Sequence, residues 1–279
     1  IGVRTVVGTL TINAGSGDDQ ILIGSQAGFW DIGADDGERP AYLDLSFVDA
    51  DDLVCAEADS CEPLGTFINA QGSLNWISES ITVNAGAGSD RVSLDDTLDN
   101  DGAAGQLTAA QISGLGMGSE GVINYNGTGG TEYLQINLDA GDNTFEVASS
   151  SGNTTTTIQG RSGDDTFHVL ATTGQVRIYG DEVQEADGVV LEDQFEASAQ
   201  VVVDGSDTFY VGSTSSSVVS SSVLNHVVGR LSLYGSTAEG TSDGMHLYDR
   251  GDSEVNRGTL RSDEVIGLGL GAGVVYQEM

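Results

Sequence analysis

The stretch "NAGSGDDQILIG", from Asn13 to Gly24, places a run rich in glycine and aspartate directly before alternating apolar residues. Related stretches recur as "NAGAGSDRVSL" at 84–94 and "QGRSGDDTFHV" at 159–169. Glycine supplies the positive φ angles of tight corners, and aspartate caps such corners by hydrogen bonding to the local backbone. Alternation of apolar and polar residues is typical of β-strands. The pattern therefore predicts strands that are joined by recurring glycine–aspartate corners.

The spacing of these corners predicts a repeating fold. Phe145, Phe167 and Phe209 each follow a corner, and they are separated by 22 and 42 residues. A further strand near Val189 would halve the longer interval. A period of about 21 residues with strand alternation and no amphipathic helix is typical of one coil of a parallel β-solenoid. We therefore predict an all-β parallel β-solenoid, with a string of antiparallel β-sandwich domains as the alternative.

A longer repeat divides the chain into units. Residues 93–117 align without a gap with residues 246–270, and the phrase Gly-Leu-Gly at 114–116 recurs at 267–269. The alignment predicts a repeat unit of about 150 residues within one continuous solenoid. Residues 1–80 are then the end of one unit, residues 81–230 a complete unit, and residues 231–279 the start of the next.

One segment, residues 29–71, interrupts this rhythm and contains both prolines and both cysteines of the chain. A close cysteine pair with no histidine or further cysteine nearby is a poor zinc site. We therefore predict a disulfide between Cys55 and Cys61 that pins a loop excursion, which favours an extracellular location. Asn126 and Asn153 begin Asn-X-Thr sequons and are predicted glycosylation sites if the host is eukaryotic.

The charge of the chain restricts its partners. There are 43 acidic and nine basic residues, which give a net charge of −34. Nucleic acid is excluded as a partner because it needs a basic face. No run approaches the roughly 18 apolar residues of a membrane span. So many carboxylates repel one another unless cations offset them, and carboxylate oxygens are the ligands of divalent cations.

The corner motif resembles the calcium-binding nonapeptide of the RTX, or haemolysin-type, family, written G-G-x-G-x-D-x-U-x with U a large apolar residue. The matching stretches are 14–21, 85–92 and 160–167, although here the motifs are single rather than tandem. The resemblance implies bound calcium, backbone carbonyls turned toward the ion, and an aspartate between adjacent coils. Capping of the corner without any ion is the alternative role. The implied ligands are Asp18, Asp19, Asp90, Asp142, Asn143, Asp164, Asp165 and Asp207.

A second phrase is similar to tandem units of very large bacterial and algal surface proteins. Residues 114–117, "GLGM", are followed by "INY" at 123–125, and residues 267–270, "GLGL", are followed by "VVY" at 274–276. This resemblance implies a cell-surface array rather than an enzyme.

Together these features predict a non-catalytic, extracellular structural repeat segment, such as a filament, surface-layer or spacer component, that binds calcium and associates with neighbouring copies of the array. An adhesin or carbohydrate-binding segment is the alternative, in which Trp30 and Trp76 stack against surface glycans. A polysaccharide lyase or hydrolase on a β-helix is less favoured, because no carboxylate cluster beside a basic group is evident.

No catalytic residue is assigned. The G-x-S-x-G match at 240–244 precedes no helix, and its Ser242-Asp243 aligns with the corner pair Ser89-Asp90. The three histidines are scattered along the chain. The tripeptide Arg-Gly-Asp at 250–252 is interpreted as a chance turn.

Overall fold

The computed structural model describes residues 1–3, 5–24, 72–99, 101–181, 183–184, 201–202, 205–212, 221–236 and 241–279. The predicted excursion 29–71, Trp30 and the Cys55–Cys61 disulfide lie outside the described residues.

The regular elements of the described residues are all strands. They are β1 (Gly2–Val3), β2 (Leu10–Asn13), β3 (Gln20–Ile23), β4 (Ser80–Asn84), β5 (Arg91–Asp95), β6 (Ala104–Leu107), β7 (Gln111–Gly114), β8 (Val122–Asn124), β9 (Tyr133–Asn137), β10 (Thr144–Val147), β11 (Thr155–Gln159), β12 (Thr166–Val169), β13 (Val176–Tyr179), β14 (Val183–Gln184), β15 (Val201–Val202), β16 (Thr208–Val211), β17 (Leu231–Tyr234), β18 (Gly244–Leu247), β19 (Gly258–Leu260), β20 (Glu264–Gly267) and β21 (Val274–Gln277).

These strands form two large sheets. The ten-stranded sheet has the order β1-β3-β5-β9-β11-β13-β17-β21-β20-β19, and the nine-stranded sheet has the order β18-β16-β12-β10-β6-β7-β8-β4-β2. Pairing is parallel except within the hairpins β6-β7-β8 and β19-β20-β21 and between β14 and β15, which form a small sheet of their own. The all-β prediction is confirmed, and the mostly parallel pairing does not match tandem antiparallel sandwiches.

Neighbouring strands pair so that like residues fall in the same row. Phe145, Phe167 and Phe209 are direct partners across β10, β12 and β16, and all three side chains are fully buried. The rings of Phe167 and Phe209 stack with their centroids 5.3 Å apart. Burying one such side chain contributes about 1.5 to 3 kcal/mol.

Val189, near which a further strand was predicted, lies outside the described residues, but no layer separates Phe167 from Phe209 in the nine-stranded sheet. β12 pairs directly with β16, so the interval of 42 residues is one layer with a long corner. The described parts of that long corner, β14 and β15, pair with each other outside the two large sheets. Spacing alone does not distinguish a long corner from an additional layer, because both preserve the row of phenylalanines.

The segments that align in sequence also have the same local structure. Leu115 and Leu268 both adopt positive φ angles, 52° and 55°, after the second strand of their hairpins. The Tyr125 hydroxyl donates to the carbonyl of Thr108, and the Tyr276 hydroxyl donates to the carbonyl of Arg261. The first hairpin belongs to the nine-stranded sheet and the second to the ten-stranded sheet. Strands that are equivalent in the two sequence repeats therefore belong to different sheets.

This difference between the repeats places the glycine–aspartate corners on two opposite edges of the sheet pair. Because neighbouring strands are parallel, all connections into the ten-stranded sheet meet where its strands begin, which we call the start edge. All connections out of it meet where its strands end, which we call the end edge. The described acidic corners of the start edge are 14–19, 85–90 and 126–132, and those of the end edge are 96–99 with 101–103, 139–143, 160–165, 180–181 with 205–207, and 241–243.

Candidate metal centre

Side-chain carboxylates join successive corners at the start edge. Asp90 Oδ1 accepts a hydrogen bond from the Asp19 N–H at 2.9 Å, and Glu132 Oε2 accepts one from the Asp90 N–H at 2.9 Å. Asp18 Oδ1 accepts from the Ser89 N–H at 2.9 Å, in the opposite direction along the stack. The predicted residues Asp18, Asp19 and Asp90 are thus neighbours. Glu132 was missed because its corner lacks the G-x-D spacing.

The end edge carries a longer ladder of the same kind. Asp165 Oδ1 accepts from the Asn143 N–H at 2.8 Å, and Asp207 Oδ1 accepts from the Asp165 N–H at 2.9 Å. Asp243 Oδ1 accepts in turn from the Asp207 N–H at 2.8 Å. The predicted residues Asn143, Asp165 and Asp207 therefore lie together, on the edge opposite Asp19.

Asp142 and Asp164 form a second, exposed ladder beside the first. Asp142 Oδ1 accepts from the Asp164 N–H at 2.9 Å, and Asp164 Oδ1 accepts from the Ser206 N–H at 3.0 Å. Both side chains face solvent. Their charges are therefore well solvated, and each has a capping role that needs no ion.

Asp165 and Asp207 are deeply buried, with 1% and 0% of their surface exposed. Within the described residues, the Oδ2 atom of each has no hydrogen-bond partner. These atoms lie against the backbone of Gly160 and Gly180, where any side chain would collide with them. Burial, with a smaller contribution from neighbouring aspartates, raises the pKa of both carboxyls to about 8.

Three carboxylates converge at one point of the end edge. Oxygen atoms of Asp181, Asp207 and Asp243 all lie within 4.8 Å of one another, and Asp181 and Asp207 are buried. We call these three residues the Asp181 cluster. Among the described residues, it is the one group of three or more metal-ligand side chains this close together.

Of this cluster, only Asp207 was predicted as a ligand. Asp181 was missed because a long corner separates it from Asp207 in the sequence. The signal for Asp243 was present, since Ser242-Asp243 aligns with Ser89-Asp90 in the corner motif.

Equivalent corners of the same edge differ in what occupies this position. The N–H groups of Gly160 and Gly180 each donate to the last residue of the next strand of the ten-stranded sheet, so the two glycines hold equivalent positions. Arg161, which follows Gly160, is therefore the counterpart of Asp181 in the preceding layer. The Arg161 guanidinium donates to the carbonyl of Thr97 at 3.1 Å. One layer further, the position is Asp139, and the Asn143 amide donates to its Oδ1 at 3.2 Å. Among the described corners of this edge, the Asp181 cluster is the one that brings three carboxylates within 4.8 Å of one another.

The residues of the Asp181 cluster fit a hard divalent cation. Calcium prefers about six to eight oxygen ligands, of which carboxylates are the most common charged kind. The buried Oδ2 of Asp207 lacks a donor in the described part of the chain, which is the condition that a bound cation relieves. Imidazole and thiolate ligands, which zinc prefers, are not part of the cluster.

Other predicted features have separate surroundings. The Asp252 carboxylate accepts hydrogen bonds from the Glu254 N–H and from the amides of Asn225 and Asn256, which together hold its pKa below the usual range. The carboxylate of the Arg-Gly-Asp tripeptide is therefore already engaged in hydrogen bonds within this chain.

The two sequons also differ from each other. The Asn126 amide donates to the carbonyl of Ala109 at 3.1 Å and to Ser151 Oγ at 3.2 Å. Asn153 is exposed and is therefore the more accessible of the two predicted sites. Trp76, which belongs to the adhesin hypothesis, is 63% exposed.

No protein-family model, curated protein or solved structure matches this chain. The resemblance to RTX repeats stays a prediction. Within the described ranges, no helix is long and apolar enough to cross a membrane.

Proposed function

We propose that this chain is a non-catalytic structural segment, folded as a parallel β-solenoid, that binds a divalent cation, calcium first of all, at the Asp181 cluster. The observation that carries the proposal is the convergence of three carboxylates within 4.8 Å around a fully buried Asp207. Two carboxylates that are ionised together at such a separation repel by about 3 kcal/mol at an effective dielectric constant of about 20, so Asp207, with its pKa of about 8, holds its proton at neutral pH while no cation is bound. A divalent cation converts this repulsion into attraction.

The position of the cluster suggests a mechanical role for the ion. Asp181 and Asp207 flank the long corner between β13 and β16, whereas Asp243 precedes β18 in the next layer. A cation held by all three carboxylates therefore clamps two successive layers together. In a solenoid each layer contacts only its neighbours, so a clamp between layers stabilises the rod locally.

We further propose that the segment works outside the cell. Calcium sites of extracellular modules typically have dissociation constants of about 10⁻⁴ to 10⁻³ M, which suits a site with few pre-formed ligands. A non-catalytic solenoid of this kind would serve as a filament, surface-layer or spacer component.

The test is thermal unfolding of the chelated protein with increasing calcium, compared with the variant Asp207→Asn. Asn keeps the oxygen that accepts from the Asp165 N–H and removes the carboxyl group that would ionise when it binds a cation. We expect calcium at about one hundred times its dissociation constant to stabilise the wild type by about 2.7 kcal/mol. Asp207→Asn should be at least as stable as the wild type without calcium and should lose this response.

The matched control is Asp263→Asn, which removes the same charge from an exposed turn. It should keep the full calcium response. A wild type whose unfolding temperature ignores calcium, or an Asp207→Asn variant that responds like the wild type, contradicts the proposal.

A further inference from the structure

The corner 160–165 holds an arginine where the local backbone favours glycine. Arg161 has a φ of 82°, and the residues at the same place in the motifs of the start edge are Gly15 and Gly86, with φ angles of 106° and 107°. A long side chain in the left-handed region is uncommon, and contacts elsewhere must compensate for its cost. We therefore expect the Arg161 side chain to make contacts that a glycine could not.

The Arg161 side chain reaches a corner two layers away. Its guanidinium donates to the carbonyl of Thr97 at 3.1 Å, across 64 residues of sequence. Thr97 follows β5 and Arg161 follows β11, whereas β9 lies between these two strands in the ten-stranded sheet. One side chain thus ties the first and the third of three successive corners together.

The Arg161 guanidinium acts electrostatically on a buried carboxylate. Asp95 is 8% exposed, and its Oδ1 accepts from the Thr97 hydroxyl at 2.7 Å and from the Thr97 N–H at 3.2 Å. Burial raises the pKa of Asp95, and the hydrogen bonds from Thr97 and the charge of Arg161 both oppose this rise. Arg161 therefore stabilises the ionised form of a carboxylate that is largely removed from water.

Arg161 also stands alone as a cation in a strongly acidic region. Within the described residues, the corners after β5, β9 and β11 carry seven aspartates, which are Asp96, Asp99, Asp101, Asp139, Asp142, Asp164 and Asp165. Among the described residues of the acidic corners at the end edge, Arg161 is the one basic side chain. The next layer has Asp181 at the equivalent position, and three carboxylates converge there. An arginine and a cluster of acids thus occupy neighbouring layers of one edge.

We propose that Arg161 is the internal cation of the corner that starts at Asp95, and that it thereby excludes calcium from this corner and confines the ion to the Asp181 cluster. A fixed guanidinium already supplies positive charge to the nearby carboxylates and repels a second cation. Charge is therefore offset by a side chain between β5 and β11, and by an ion between β13 and β18. The calcium part of this inference rests on the proposed function, whereas the role of the guanidinium does not.

Hydrogen exchange of the chelated protein, followed by mass spectrometry, tests the role of the guanidinium. The N–H groups of residues 96–99 are all hydrogen bonded, and in Arg161→Gln they should exchange about tenfold faster or more, because a buried charge loses its counterion. Arg161→Lys keeps the charge and should exchange more slowly than Arg161→Gln. Arg230→Gln is the matched control, since it removes the same charge from an exposed residue at the start edge. Exchange in Arg161→Gln that equals that of the wild type overturns the proposal.

Calorimetric titration with calcium tests the exclusion of the ion. Arg161→Gln should bind one calcium ion more per chain than the wild type, because the uncompensated carboxylates of residues 95–99 then attract a cation. Arg161→Lys and Arg230→Gln should bind as many ions as the wild type. The double variant Arg161→Gln/Asp207→Asn should still bind one ion more than Asp207→Asn, which separates this result from a failure of the Asp181 cluster. An Arg161→Gln variant that binds no additional calcium, or an Arg161→Lys variant that binds as much as Arg161→Gln, overturns the proposal.

Discussion

The corner at Asn143 and the corner at Asp207 share one backbone arrangement but satisfy their carboxylates differently. At the first, the Asn143 amide donates to Asp139 Oδ1 and to the carbonyl of Gly141 at 2.7 Å. At the second, the equivalent side chain is a carboxylate that faces two further carboxylates. A corner with an asparagine at the buried position therefore satisfies its neighbouring carboxylate without an ion. Under the proposed function, an ion takes over this role where an acid replaces that internal donor.

The largest effect is expected from filling the space beside the buried carboxylate. Gly180→Ala places a methyl group against Asp207 Oδ2, in a buried position that has no room to relax. We expect a loss of about 2 to 4 kcal/mol in the free energy of unfolding, measured by chemical denaturation. Gly8→Ala is the matched control, since nothing lies within 4 Å of an added methyl group there. Equal stability of the two variants would show that the carboxylate is not confined as described.

The next prediction concerns a variant that makes the Asn143 corner resemble the Asp207 corner. Asn143→Asp removes the amide donor and adds a charge at a position that is 1% exposed, between Asp139 and Asp165. Without calcium it should lose about 2 to 3 kcal/mol of stability. Calcium should restore part of that loss, as seen by thermal unfolding with and without chelator. A variant that is as stable as the wild type in chelator would remove the distinction between the two corners.

A smaller, pH-dependent effect is expected from a buried carboxyl outside the cluster. Burial raises the pKa of Asp96 to about 7, and the nearby Asp99 and Asp139 add to the shift. The folded state therefore holds this proton more tightly than the unfolded state. The stabilisation is complete at pH below about 4 and is lost as the pH rises through about 7.

Asp96→Asn should flatten that part of the pH dependence, measured by denaturation from acid to neutral pH, and should leave the calcium response unchanged. The Asn oxygen still accepts the hydrogen bond from the Leu74 N–H. An unchanged pH profile would mean that Asp96 is not desolvated in the folded state.

The smallest effect is expected at the exposed ladders. Asp142→Asn keeps the oxygen that accepts from the Asp164 N–H and removes a solvated charge. We expect less than about 0.5 kcal/mol of change in stability and no change in the calcium response. A lost calcium response would place the ion at the exposed aspartates instead of the buried ones.

The strands and corners of this fold could be predicted from local sequence, whereas the arrangement around the Asp181 cluster could not. Alternation before and after the corners at Asn13 and Gln159 indicated the type of element, and the spacing of Phe145 and Phe167 predicted that β10 and β12 align. Asp181 and Asp207 meet only because a long corner returns to its own layer. That return depends on pairing between β12 and β16, which no local pattern encodes.

The sequence also did not predict that the corners are divided between two opposite edges of the sheet pair. Asp19 and Asp165 stand in nearly identical motifs, but one follows a strand of the nine-stranded sheet and the other follows a strand of the ten-stranded sheet. The hairpin β6-β7-β8 keeps three successive strands in one sheet, so later corners fall on the opposite edge. Motif similarity therefore predicts the local geometry of a corner and not its neighbours.

The central claim, that the Asp181 cluster holds a divalent cation, is tested most directly by calorimetric titration of the chelated protein with calcium. We predict that the wild type binds one calcium ion more per chain than Asp207→Asn does, and that Asp142→Asn binds as many as the wild type. Equal stoichiometry and affinity in the wild type and in Asp207→Asn would contradict the account.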